Sequence, residues 1–172
     1  MARTALSALA ATLQSLSVQW ALLGALAANR YRLSPRSTQD VDLLLADAGS
    51  PDGALEHALR ADGWDVRHAS AEGDLLRLRH GELGAADLLI AGTDYQHLAL
   101  DRARSETILD GQVVYVLTAE DVIIHKLIAG RSQDIADIEA ILAAAVPLDE
   151  TYIAKWVAFW DVTERWAKLH RP

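Results

Sequence analysis

The sequence predicts an α/β (α+β) fold: a mixed sheet flanked by helices, followed by a C-terminal three-helix segment. Three observations predict it. Short apolar runs bounded by Gly, Pro or Asp recur up to residue 117, which is the pattern of buried and half-buried strands. Asp110-Gly111 separates Thr107-Ile108-Leu109 from Val113-Val114-Tyr115-Val116, a two-residue hairpin signal. From Thr118 onward the apolar residues fall at helical spacing instead. Residues 1–117 therefore form an α/β core and 118–172 a helical segment packed on it. With 172 residues and no low-complexity linker, one compact unit is expected.

The elements follow in order. Leu6, Leu9, Leu13 and Leu16 share one helical face within residues 4–16. Val18 to Leu23 is a short buried strand, and a helix starts directly after it at Gly24, running to about Arg30. Thr38 to Ala46 reads as a strand, and Pro51-Asp52 opens a helix through Leu59 that stops near Gly63. Trp64–His68, Leu75–Arg79 and Ala86–Ile90 read as three further strands, the last two joined by a Gly-containing turn at 81–84. Residues 95–104 form a short helix. Thr118 caps a helix that Gly130 closes, Ser132 caps another to about Ala145, and Asp149 begins a third, long helix ending near Leu169.

Composition excludes several classes. There is no cysteine, so disulfides and thiolate zinc sites are ruled out. The apolar runs are broken by charge before they reach membrane-spanning length, and no cleavage site follows the N-terminus. A cytoplasmic protein with no membrane partner is expected. The net charge of −8 argues against broad electrostatic binding to nucleic acid, so any such contact must be local.

The chemistry concentrates between residues 20 and 45. Asp40 and Asp42 alternate with Val41, so on a strand their side chains share one face, about 6–7 Å apart. Two carboxylates beside apolar residues repel unless a cation sits between them, which suits a divalent metal used in phosphoryl chemistry. An edge strand with two solvated carboxylates is the plainer alternative. Gly24-Ala25 sits where strand hands over to helix, where small residues let a phosphate approach the backbone; tight strand–helix packing would need them equally. Arg30, Arg32 and Arg36 precede Asp40 without an intervening acid. They suit a metal–triphosphate ligand, or alternatively pair with the acidic surface.

Further on, Asp87 lies in an apolar strand, where an unpaired carboxylate is costly. Lys126 falls among Ala119, Val122, Ile123 and Ala129 on a helical wheel, so it must snorkel or meet a buried anion. That anion is a bound phosphate, or Asp134 or Asp137 in a structural ion pair. Asp134 is positioned to orient Lys126 or Arg131. His125 falls on the polar side of the same helix, facing solvent. Trp156, Trp160 and Trp166, with Ile153 and Ala167, form an aromatic stripe whose first use is packing against the preceding helices.

Taken in order, Gly24, Ala27 and the run Arg36-Ser37-Thr38-Gln39-Asp40-Val41-Asp42 resemble the signature of the polymerase-beta-type nucleotidyltransferase superfamily. Residues 86–90 resemble its later strand that carries a third metal-site carboxylate. Residues 117–142, LTAEDVIIHKLIAGRSQDIADIEAIL, resemble the small bacterial branch that includes abortive-infection type IV (AbiEii-like) toxin nucleotidyltransferases. The resemblance spans residues 18–142. It implies a nucleotidyltransferase-like sheet and Mg²⁺- or Mn²⁺-dependent transfer of a nucleoside monophosphate from an NTP to an acceptor. It further implies Asp40, Asp42 and Asp87 as metal-binding catalytic carboxylates. Gly24, Ala25, Arg36, Thr38, Lys126 and Asp134 would contact the nucleotide. The acceptor implied is a tRNA 3′ end, a protein or a small molecule, and a toxin would have a cognate antitoxin. Ala25 replaces the family's second Gly or Ser, and the stretch from the turn to the carboxylate pair is about one residue longer than the family pattern. Both departures keep a second reading open, an inactive nucleotidyltransferase-like binding or partner module.

Overall fold

A computed structural model describes residues 4–38, 40–46, 53–107 and 111–170. Helix α1 (Ala5–Ser15) starts at Thr4, which exchanges reciprocal capping bonds with Ser7. Its Leu9 and Leu13 are fully buried. Strand β1 (Trp20–Leu22) leads through Leu23 into helix α2 (Gly24–Ala28), and β2 (Val41–Leu45) follows. Helix α3 (Ala54–Ala61), β3 (Asp65–His68), β4 (Leu75–His80) and β5 (Gly84–Ile90) come next. Then follow α4 (Asp94–Arg102), β6 (Arg104–Thr107), β7 (Val113–Val116), α5 (Ala119–Ala129), α6 (Ser132–Ala143), α7 (Glu150–Phe159) and α8 (Thr163–Leu169).

Among the described residues, seven strands form one mixed sheet in the order β3-β4-β5-β2-β1-β7-β6. β2 runs antiparallel to β1 and parallel to β5, with Asp42 directly opposite Asp87. β4 is antiparallel to β5 and sets Arg77 opposite Asp87, Leu75 opposite Leu89 and Arg79 opposite Ala85. Because side chains alternate along a strand, these residues all project from one face. That face carries three rows across the strands: Arg79 and Ala85, then Arg77, Asp87 and Asp42, then Leu75, Leu89 and Leu44. The apolar core is one cluster that draws on the sheet, on α1 and on the C-terminal helices, including Leu43, Leu88, Ile123, Ile138 and Ile153.

The α/β architecture, a mixed sheet flanked by helices, is the one the sequence predicts. Several local expectations need correction. The third C-terminal helix is two helices: Asp161 takes a left-handed conformation at φ 55° and breaks the run between α7 and α8. Asp tolerates this because its short polar side chain suits the region better than a bulky one. The C-terminal segment therefore has four helices, and Ala167 lies exposed outside the aromatic packing. Strand β2 begins at Val41, so Asp40 precedes the strand instead of lying within it. β6 is the polar run Arg104–Thr107, and most of the expected Thr107–Leu109 strand, like Asp110 of the turn, lies outside the described residues. The helix opening at Pro51-Asp52 also falls outside them, and α3 is described from Ala54. At α6 the cap is Arg131, not Ser132, with Asp134 reaching back to the Arg131 N–H at 3.2 Å.

Candidate functional site

The site begins with a backbone constraint. Gly24 has φ 62°, a left-handed conformation that glycine adopts without strain. A Cβ added there would fall inside the Asp42 carboxylate. Leu23 N–H donates to the Asp42 carbonyl at 2.9 Å, fixing the turn against β2. Glycine is thus required twice, by its dihedral and by the closeness of Asp42.

Asp42 and Asp87 are brought together by the parallel register of β2 and β5. Asp40 lies at the open end of β2 and joins them around one cleft of about 430 Å³, with Gly24, Ala25 and Thr38 also in its wall. Burial, then the neighbouring charges of Asp87 and Asp40, raise the Asp42 carboxyl above the ordinary carboxylate range. Asp87 is less strained because Arg77 of β4 reaches it at 3.2 and 3.4 Å. Among the described residues no group of three or more His, Cys, Asp or Glu side chains closes on a single metal position. The donor set is nevertheless the right kind for Mg²⁺, which takes hard oxygens and is commonly held by one or two carboxylates plus substrate phosphates. The destabilised Asp42 carboxylate beside Asp87 is the point where a divalent cation would fit.

Facing these carboxylates is a basic wall. Lys126 is 4% exposed and bonds Asp137 at 2.6 Å and Asp134 at 3.3 Å. Asp137 is fully buried and also receives Arg36 at 2.9 and 3.1 Å and Arg32 at 2.7 Å. Asp134 receives Arg131 Nε at 2.7 Å. Burial pushes the Asp137 carboxyl up, but hydrogen bonds from Arg36 and Lys126 outweigh it and bring it down to about 2. Asp134 is likewise lowered, its burial overcome chiefly by the Arg131 hydrogen bond. Arg36 is placed by Asn29, whose side chain donates to the Arg36 carbonyl and accepts from its N–H. Tyr31 anchors the same loop by donating to the Leu117 carbonyl at 2.7 Å. Of the sequence-predicted residues, Arg36, Lys126 and Asp134 thus reach the cleft while bonded to one another's partners. Arg30 does not join them, because it pairs with Glu106.

Beyond the carboxylate row lies a second cavity of about 580 Å³, walled by Leu75, Leu89, Ile128, Tyr95 and Trp160 and sharing Asp42 and Asp87 with the first. His125 belongs to this wall. It does not face solvent as its helical position implied: its Nδ1 lies 2.9 Å from the Asp121 carbonyl, and its ring packs 5.3 Å from that of Tyr95. Burial lowers its pKa and favours the neutral ring. Arg77, Arg79, Tyr95 and Gln133 at these cavities were missed by sequence reasoning. Arg77 and Arg79 left a signal, as polar positions alternating with Leu76 and Leu78.

The fold and this arrangement define a class: the chain has the nucleotidyltransferase type of mixed sheet. The antibiotic-resistance factor ANT(2″)-Ia has the same fold, at 16% identity with a TM-score of 0.65 over 95% of this chain and 92% of that one. The lincosamide antibiotic adenylyltransferase LnuA, solved with lincomycin bound, matches at 13% identity and TM-score 0.59, covering 81% of this chain and 95% of that one. An antigenic nucleotidyltransferase-like protein from Paracoccidioides brasiliensis matches at 21% identity and TM-score 0.56, covering 94% and 88%. Comparison of the sequence with protein families and with curated proteins returns no match. Among the described residues, no helix is long and apolar enough to cross a membrane.

Proposed function

We propose that this chain is a nucleotidyltransferase that moves a nucleoside monophosphate from an NTP to an acceptor hydroxyl and releases pyrophosphate. The observation that carries it is the in-register pair Asp42 and Asp87, set against Gly24 and faced by Arg36, Lys126 and Arg131. Four cations, Arg32, Arg36, Lys126 and Arg131, share two carboxylates, Asp134 and Asp137. The surplus positive charge is the complement of a polyphosphate. Asp42 and Asp87, with Asp40 at the open end, would hold Mg²⁺ or Mn²⁺. When bound, the metal supplies charge neutralisation at the phosphoryl oxygens. Gly24 and Ala25 let the phosphates lie close to the backbone, and Thr38 and Arg36 close the other side.

LnuA and ANT(2″)-Ia are antibiotic adenylyltransferase and antibiotic-resistance proteins, and a small-molecule acceptor is in keeping with the size of the cavities. The resemblance of residues 117–142 to abortive-infection toxins supports the other acceptor, a tRNA end, with an antitoxin as partner. Labelled NTPs incubated with the protein, Mg²⁺ and either total tRNA or a small-molecule extract test this directly. Label appearing in an acceptor with wild type, and not with Asp42→Asn, is expected. Absence of transfer under every condition rejects the activity.

Two observations favour the second reading, a binding module without transfer. Arg77 occupies Asp87, and Ala25 offers no hydroxyl to a phosphate. Metal-dependent NTP binding without label transfer would be its signature.

A further inference from the structure

The carboxylate row lies between two cavities that share Gly24, Asp42, Asp87, Lys126, Arg131 and Asp134 and differ in the rest of their walls, and the difference has a stereochemical consequence. On one side lie Arg36, Arg77 and Arg79, and the row Arg79–Ala85 of the sheet. On the other lies the row Leu75–Leu89, with Leu23, Ile128, Tyr95 and Trp160 around it. Successive rows on one face are about 6–7 Å apart, twice the rise per strand residue. Phosphoryl displacement is in line, so the attacking and leaving oxygens stand on opposite sides of the phosphorus. A phosphorus held at Asp42 and Asp87, with its pyrophosphate drawn to Arg36, Arg77 and Arg79, is open to in-line attack from the side of Leu75 and Leu89.

We infer that the apolar cavity is the acceptor pocket, and that its substrate is a small, uncharged, ring-bearing alcohol rather than a polycation or a nucleic-acid end. This rests on the nucleotidyl-transfer reading. The acceptor hydroxyl oxygen bonds to the α-phosphorus as the bond from that phosphorus to the pyrophosphate oxygen breaks. The hydroxyl proton passes to water at the open mouth of the cleft, and pyrophosphate leaves with the electron pair. Charge in the pocket wall agrees with a neutral ligand. Asp134 is paired with Lys126 and Arg131, and Asp87 with Arg77, which leaves Asp42 as the one carboxylate of this wall without an ion pair among the described residues. Aromatic rings stand behind the pocket, with the fully buried Tyr95 6.0 Å from the half-buried Trp160 and 5.3 Å from His125. Trp160 Nε1 and His125 Nε2 are buried without a hydrogen-bond partner among the described residues.

The test uses 2-naphthyl β-D-glucoside as a neutral aromatic alcohol, a polycationic aminoglycoside, and tRNA, each titrated calorimetrically in the absence of nucleotide. Mg–NTP is titrated separately. Wild type should bind the naphthyl glucoside and accept label on it, and should bind the aminoglycoside and tRNA weakly or not at all. Ile128→Gln, at a position 39% exposed, and Trp160→Ala should weaken the glucoside by about tenfold or more from lost apolar contact. Their Mg–NTP affinity should stay at the wild-type value. Failure to bind the glucoside, glucoside binding unaffected by both variants, or preferential labelling of tRNA or the aminoglycoside would overturn the assignment. A fall in NTP affinity in the variants would also overturn it, by placing the nucleobase in this pocket. Absence of Mg–NTP binding in wild type is a separate result, which removes the transfer reading itself.

Discussion

At the scale of single residues, Asp42 is where stability and proposed function pull apart. Its carboxyl titrates above the ordinary range because it is buried beside Asp87 and Asp40. The native chain therefore holds that proton more tightly than the unfolded chain does. Stability from this group is complete at acid pH and is lost as pH rises from the ordinary carboxylate range through the raised value. Asp42→Asn should melt higher than wild type at pH 7 in metal-free buffer, with the gain shrinking as pH falls below the ordinary carboxylate range. Metal-dependent NTP affinity should drop more than about tenfold, since even outer partners of a metal site are worth about 10–100-fold. Thermal melts across pH and calorimetric titrations read the two effects separately. Gly24→Ala should lower both quantities. A left-handed alanine costs roughly 1–2 kcal/mol, and the new methyl must displace Asp42, so both melting temperature and nucleotide binding should fall. Lys126 is a third case. Removing it leaves Asp137 with Arg32 and Arg36, and Asp134 with Arg131. Lys126→Met should thus lose about 1.5–3 kcal/mol, the value of a hydrogen bond to a charged group, not the roughly 3–5 kcal/mol of a stranded buried charge. A denaturant melt decides it, and a larger loss would mean that the arginines cannot hold the carboxylates alone.

At the scale of elements, one buried carboxylate ties α5 to α7 and to α4. Asp121 on α5 is fully buried and accepts from Thr118 at 2.7 Å, from Tyr152 of α7 at 2.7 Å and from Arg102 of α4 at 3.3 Å. Arg102 also stacks 3.8 Å from the centroid of the Tyr152 ring. Tyr152→Phe keeps the stacking surface and removes one charge-assisted bond, so it should cost about 1.5–3 kcal/mol in a urea melt. Unchanged stability would mean that α7 is held by apolar packing alone. Little of this junction was legible beforehand, because Asp121 and Tyr152 are 31 positions apart and neither periodicity nor spacing links them. Where the information is local, the sequence spoke clearly. Thr118 and Gly130 bound α5 as their capping chemistry demands, and the alternation at 75–79 placed β4. β6 was misplaced because its residues are polar, so there is no apolar period to find, while Ile108 and Leu109 drew the reading past it. The break at Asp161 was missed because a left-handed Asp leaves no mark comparable to glycine.

At the scale of the whole molecule, the carboxylates share a cleft through topology that crosses the chain twice. β2 and β5 are neighbours only after an excursion through α3, β3 and β4. The D-x-D spacing was visible in the sequence, and so was the anomaly of an acid in the apolar run 86–90. Their opposition across a parallel ladder was not, because register is a property of the folded sheet. The basic wall was half visible: Lys126 on an apolar stripe announced a buried anion, but four cations converging on two carboxylates did not. The same interdependence governs folding. β7 pairs with β1, Leu22 opposite Val116, and α5 supplies fully buried Ile123, Ile124 and Leu127 to the common core. A chain cut after residue 117 should therefore fail to give a cooperative melt, which circular dichroism would record, whereas a sharp transition would show that the α/β part folds alone.

The sheet order carries one more consequence, for behaviour in concentrated solution. Its two borders are β3 and β6. β3 turns Asp65, Arg67 and His68 outward around a single buried Val66, and β6 consists of Arg104, Ser105, Glu106 and Thr107. A foreign strand adding to either border would have to strip water from charges without gaining an apolar partner, the device by which sheets resist edge-to-edge growth. The hydrophobic strands that carry the carboxylates lie between these borders, so the molecule shields its most aggregation-prone segments behind its least adhesive ones.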